Sequence, residues 1–182
     1  MLTIVGLSGS LRRDSFNTAL LYAAVECMPS DATLDVATLE GIPLYHGDEE
    51  AAHGIPDAVA ALKDRIAAAD ALLLATPEYN SGMPGVFKNA IDWLSRPPED
   101  QPRVLHGRPV ALMGATPGGG GTGLAQAAWL PVFRGLKMRP WFGGRLQVGG
   151  AGNLFDDGAL TDDATAKRLA EFMAGFVDFV RG

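Results

Sequence analysis

The run Ala71-Leu72-Leu73-Leu74-Ala75 is apolar at every position, so as a strand it needs cover on both faces. That demand restricts the chain to a sheet held between helices, and the flanking sequence supplies the helices. Leu2 to Val5 is a first buried strand, followed by a helix-period pattern at Phe16, Ala19, Leu20, Ala23, Ala24 and Cys27 that Pro29 ends. Ala32 to Leu39 alternates as a second strand nearer a sheet edge, and Gly41 to Gly54 reads as a loop. Ile55-Pro56 opens a helix with Val59, Leu62, Ile66 and Ala69 on one face; after the apolar run, Pro84 starts another through about Leu94, stopped by Pro97-Pro98. Arg108 to Ala115 is a fourth strand, Leu124 to Phe133 a helix, and Met138 to Phe142 a fifth strand. Gly143 to Gly158 is glycine-rich and is assigned little structure. Thr161 is expected to cap a last helix with Asp162 and Asp163 in its first turn and Leu169, Phe172, Met173, Phe176, Val177 and Val180 as its buried stripe. Five alternations without a linker or repeat call for one α/β domain over residues 1–182, a three-layer, doubly wound, five-stranded parallel sheet.

Composition narrows the partners. A formal charge of −6 and a pI near 5.0 lack the clustered cations that nucleic acid or an anionic membrane surface requires. The single cysteine, Cys27, cannot form an internal disulfide and sits in the apolar pattern of the first helix, as a packing residue in a reducing compartment would. Met1 leads straight into a strand, without the leader and apolar core of a signal peptide, so the expected location is cytoplasmic. His46, His53 and His106 are scattered and no Cys-x-x-Cys is present, which leaves no metal signature.

In doubly wound sheets ligands sit beyond the C-terminal strand ends, and three loops of unusual composition lie there, after the first, third and fourth strands. The first, Gly6 to Asn17, has glycines for a tight turn, hydroxyls at Ser8, Ser10 and Ser15, the amide of Asn17, and Arg12 or Arg13 as a full charge, all before a helix N-terminus. It reads as a phosphate-monoester cradle; the plainer alternative is that Ser15 or Asp14 only caps the helix. It fits neither Gly-x-x-x-x-Gly-Lys-Ser/Thr nor Gly-x-Gly-x-x-Gly. In the second loop Pro77 and Pro84 stiffen Thr76 to Met83, leaving Glu78 and Tyr79 to project and backbone groups to read a flat heteroaromatic edge; an ordinary strand-to-helix turn is the alternative. The third, Thr116-Pro117-Gly118-Gly119-Gly120-Gly121-Thr122-Gly123, formally contains Gly-x-Gly-x-x-Gly but has no acidic residue about 20 positions on, so no dinucleotide fingerprint is assigned. Its glycines suit either close backbone approach to a flat ligand or a mobile lid. No Ser-His-Asp, paired-carboxylate or Cys-His arrangement stands out as catalytic.

Together, Gly6-x-Ser8-Gly9-Ser10-Leu11-Arg12-x-x-Ser15-x-Asn17 and Thr76-Pro77-Glu78-Tyr79-Asn80-x-x-x-Pro84-Gly85-x-x-Lys88-Asn89-Ala90-Ile91-Asp92-Trp93 resemble the NAD(P)H-dependent FMN reductase family. The resemblance implies a flavodoxin-like sheet of order 2-1-3-4-5 and FMN as cofactor, reduced by NADPH or NADH and reoxidised by a quinone, flavin, azo compound or oxyanion. By the same resemblance Ser8, Ser10, Arg12, Ser15, Phe16 and Asn17 hold the FMN phosphate, Pro77, Glu78, Tyr79, Asn80 and Ser81 line the isoalloxazine, and Thr116, Pro117, Gly118 and Gly119 close its other side. It further implies a homodimer or homotetramer. Hydride transfer then needs no side-chain base, and no catalytic residue is assigned. A flavodoxin-type electron carrier is the alternative with the same fold.

Overall fold

The computed structural model describes residues 1–182. Its sheet is parallel throughout. Strands β1 (Leu2–Ser8), β2 (Ala32–Ala37), β3 (Ala71–Ala75) and β4 (Pro109–Ala115) lie in the order β2-β1-β3-β4, extended by β5 (Arg139–Pro140). The register pairs Ile4 with Ala71 and Leu72 with Val110, so the C-terminal ends of β1, β3 and β4 come side by side. The apolar run is buried at all five positions. Leu73 faces one core, with Ile4, Leu20, Phe172 and Phe176, whereas Leu72 and Leu74 face the other, with Val5, Ile66, Phe87 and Trp129. The first core is roofed by α1 (Phe16–Glu26) and α7 (Asp163–Arg181). The second is roofed by α3 (Asp57–Ala68), α4 (Gly85–Leu94) and α6 (Gly123–Gly135), with the short α5 (Gln101–Val104) adding Val104. This is the doubly wound order 2-1-3-4-5, with β2 at the expected edge.

The fifth strand departs from the sequence reading. Instead of Met138 to Phe142 it is two short pieces: β5 beside Pro109 and Val110, and β6 (Leu146–Val148) beside Met113, Gly114 and Ala115. The cause is Trp141, whose ring lies 5.1 Å from that of Phe172 and 5.7 Å from that of Phe176 on α7. A Cβ on Gly143 or Gly144 would come within 2.4 Å of the indole, so these glycines let the chain wrap the ring and leave the sheet. Gly143 to Gly158 is therefore ordered. Beyond β6 come a 3₁₀ turn at Ala151–Asn153 and the hairpin of β7 (Phe155–Asp156) and β8 (Ala159–Leu160), joined by Asp157 and Gly158 at φ 45° and 78°.

Three smaller differences follow from capping. The expected loop before α3 contains helix α2 (Gly47–His53), with Asp48, Glu49 and Glu50 in its first turn. Asp162, not Thr161, caps α7 by accepting from Thr165 N–H at 2.8 Å. Helix α1 ends at Glu26 with Cys27 as its cap; that thiol is half-buried, and desolvation pushes its pKa up. No helix is long and apolar enough to cross a membrane.

Candidate functional site

The first wall of the crevice begins where β1 ends. Ser8 is fully buried and its hydroxyl lies 2.7 Å from that of Thr18, so this side chain ties the strand end to α1 beneath the loop. Gly9 passes through a gap with no room for a side chain: a Cβ would stand 2.2 Å from the Phe87 ring and 2.9 Å from Pro77. Its N–H donates to Ala75 O at 2.9 Å, fixing the loop to β3. The Ser10 hydroxyl accepts from Arg12 N–H at 3.2 Å, a local turn that throws Leu11 to Asp14 outward. Arg12 and Arg13 are exposed, and neither forms a salt bridge. Ser15 stands at the N-cap of α1, accepting from Thr18 N–H at a long 3.4 Å, and the N–H groups of Phe16 and Asn17 open the helix without intrahelical partners. The Asn17 side chain turns elsewhere. Its Nδ2 donates to Ala115 O at 2.9 Å and its Oδ1 accepts from Ala115 N–H at 3.0 Å, in a site only 4% exposed.

The second wall is rigid for a reason visible in its hydrogen bonds. Thr76 is buried, with its hydroxyl donating to Pro77 O and accepting from Trp129 Nε1 at 3.1 Å. Tyr79 and Gly82 exchange both backbone hydrogen bonds at 3.0 Å, and Asn80 and Ser81 between them sit at φ 50° and 61°. That is a closed two-residue turn of the I′ kind, with Tyr79 exposed at its base. Glu78 does not project outward, as the sequence suggests, but turns toward the third loop. Its Oε2 accepts from the N–H groups of Leu124 and Ala125, at 2.8 and 3.0 Å, across to α6.

The third wall leaves β4 at Gly114, where a Cβ would lie 2.1 Å from Thr122 Oγ1 and 2.4 Å from Thr76 O. Thr116 is stitched on both sides, its N–H to Val148 O and its carbonyl to Ala151 N–H, while Gly118 O accepts from Gly150 N–H at 3.0 Å. Pro117, Gly118 and Gly119 present bare backbone to solvent at the crevice.

The adjacent ends of β1, β3 and β4 thus carry three loops, the first with Ser10, Arg12, Ser15 and the Phe16 and Asn17 N–H groups, the second Pro77–Ser81 and the third Thr116–Gly119. The structure takes the side chains of Ser8, Asn17 and Glu78 out of the crevice between them. Their partners are another hydroxyl and distant backbone groups, for which the sequence carries no signal. Phe155, whose ring lies 5.5 Å from that of Phe16, was also missed, although Asp157-Gly158 is a hairpin signal. The donors, free cations and close-packed Gly9 fit a phosphate monoester, and the closed turn of the second loop with the glycine backbone of the third fits the edge of a flat ring.

A model of the family described as NADPH-dependent FMN reductase matches residues 2–152. An NAD(P)H-dependent FMN reductase of Pseudomonas aeruginosa is 42% identical over 179 residues, 98% of this chain and 95% of that protein. A 2-hydroxy-1,4-benzoquinone reductase of Burkholderia sp. is 38% identical over 181 residues, 99% of this chain and 97% of that one. Among solved structures, the flavoenzyme NAD(P)H:(acceptor) oxidoreductase FerB from Paracoccus denitrificans superposes with a TM-score of 0.88 at 33% identity, covering 100% of this chain and 98% of that one.

Proposed function

Because the chain belongs to the NADPH-dependent FMN reductase family, we propose that it is a two-electron reductase working by alternating half-reactions, NAD(P)H in and a small acceptor out. It is an oxidoreductase with FMN as cofactor and NAD(P)H as donor. Bound FMN supplies the hydride and electron chemistry, so the residues need only bind, orient and exclude water. In this proposal Ser10, Ser15, Arg12 and the N–H groups of Phe16 and Asn17 hold the phosphate, with Ser8 acting from beneath through Thr18. Pro77 to Ser81 and Thr116 to Gly119 hold the two sides of the ring. The acceptor is a quinone, free flavin, azo compound or oxyanion, and two relatives described as quinone reductases favour the first. A homodimer, with a second copy over the crevice mouth, and a cytoplasmic setting complete the proposal.

What supports the reading is the set of loops at the adjacent ends of β1, β3 and β4: unpaired cations and helix N–H groups on the first, and on the second a turn closed by two reciprocal backbone hydrogen bonds. A turn locked in that way resists the backbone rearrangement that a one-electron carrier would use, which favours direct two-electron exchange. The test is anaerobic. NADPH or NADH should bleach the bound flavin fully in one phase, and a benzoquinone should restore the colour, with parallel lines in double-reciprocal plots. If neither nucleotide bleaches it, the chain is an electron carrier.

A further inference from the structure

We propose that Asn17 and Glu78 are positioning residues that bracket the glycine-rich third wall, one at each end, adding side-chain ties from the other two walls to the backbone bonds it makes with Val148, Gly150 and Ala151. The argument starts from what Thr116–Gly123 lacks. Gly118 to Gly121 are consecutive glycines with no side chain to pack and a large conformational entropy to lose on ordering. Pro117 to Gly120 are exposed. Backbone bonds to Val148, Ala151 and Gly150 hold Thr116 and Gly118, but Gly119 to Gly121 donate no backbone hydrogen bond, so fixing this stretch calls for further ties at the ends of the segment.

Both ends are held, and by side chains from the neighbouring walls. At the start, Asn17 bonds both the N–H and the carbonyl of Ala115 at 3.0 and 2.9 Å, as a paired strand would. Asn is suited to this because its amide offers a donor and an acceptor side by side, whereas an ionised Asp offers acceptors alone. At the finish, Thr122 occupies the N-cap position of α6 yet makes no side-chain cap bond. It sits at φ 64°, and its hydroxyl accepts from Gln126 Nε2 at 3.2 Å instead. The capping falls to Glu78, from 46 residues earlier in the chain, which satisfies the N–H groups of Leu124 and Ala125 and places a carboxylate at the positive end of the helix. The close approach of Gly114 to Thr122 and Thr76 leaves little slack between these fixed points. The bracket makes the segment a fixed wall. On the reading given above, the phosphate end of the crevice and the ring end are then mechanically joined through Asn17.

The test uses amide hydrogen exchange in the full-length, flavin-free chain, and then flavin binding. Asn17→Ala and Glu78→Ala should each raise exchange about tenfold at the Thr116, Gly123, Gly150 and Ala151 amides, whose hydrogen bonds start or end on the third wall, the equivalent of one lost hydrogen-bonded tie, while β1 and β3 stay protected. Should either alanine variant fail to fold, Asn17→Asp and Glu78→Gln replace them. The first should loosen the wall because it loses its donor, and the second should largely keep it because an acceptor remains. With flavin bound, both alanine variants should shift the visible spectrum of the ring and raise the acceptor KM more than they lower kcat, leaving the ratio of FMN to riboflavin affinity unchanged. A ratio that falls in Asn17→Ala would make the amide a phosphate ligand and overturn the proposal, as would unaltered exchange at the Thr116, Gly123, Gly150 and Ala151 amides in the alanine variants, or in Asn17→Asp where those do not fold. Raised exchange in a protein that neither nucleotide reduces would leave the bracket standing and reject the reductase reading alone.

Discussion

At Gly9 one missing carbon decides whether the first two loops can lie together. A methyl there would press into the Phe87 ring and Pro77, so Gly9→Ala should destabilise by roughly 1–3 kcal/mol through overpacking and weaken flavin binding in parallel. Urea denaturation and a flavin titration measure the two effects. Ser15 is a different case, because its contact with Thr18 N–H is long and its hydroxyl remains able to serve a ligand. Ser15→Ala should cost FMN about 1.5–3 kcal/mol of binding, as expected for a hydrogen bond to a charged group, and riboflavin far less. Equal losses for both, read by fluorescence titration, would remove the phosphate from this loop. These positions were legible in the sequence because glycine, serine and arginine in a loop between strand and helix carry their chemistry locally. The side-chain partners of Asn17 and Glu78 were not legible, since what they bind is backbone 98 and 46 residues away, and any residue type offers the same backbone.

At the scale of elements, the segment after α4 is fastened to α3 by an ion pair. Lys63 is 2% exposed, and its ammonium reaches Asp100 at 2.5 Å as well as the carbonyl of Arg96. Lys63 first, and Arg103 second, hold the Asp100 carboxyl below its ordinary 3.8. A carboxyl lowered on folding contributes stability that is present above that ordinary value and is lost as pH falls through the lower, folded one. Asp100→Asn should therefore lower the urea midpoint near neutrality and flatten its decline below pH 3.8, a difference that closes as the acid limb is reached. The strands and long helices of this frame could be read from period alone, because burial on one or two faces writes itself into every second or every third to fourth residue. The broken fifth strand could not. Its interruption depends on Trp141 finding Phe172 and Phe176, on a helix that begins 22 residues further along the chain. Helix α2, by contrast, left a signal in Asp48, Glu49 and Glu50 that a loop reading passed over.

For the whole molecule, exposed apolar side chains occur on several faces, and one group of them lies near the C-terminal end of the sheet. Leu11, Tyr79 and Leu124 are each about half exposed around the crevice, and Leu44 is 82% exposed on a loop pinned to α4 through Pro43 O and the Asn89 and Trp93 side chains. A second copy covering them, as in the homodimer proposed above, would account for that exposure. Light scattering at micromolar concentration should return twice the 19.1 kDa chain mass with FMN bound, and Leu44→Asp should shift it toward one. The far edge of the sheet limits how such copies can meet. A strand from a neighbour needs an unbroken row of N–H and C=O groups to add itself to a sheet. Here the row is two residues of β5, a fold of chain around an indole, and three residues of β6. Along that edge the molecule offers no template for growth, so it can crowd against its own kind at high concentration without being drawn into a continuous ribbon there.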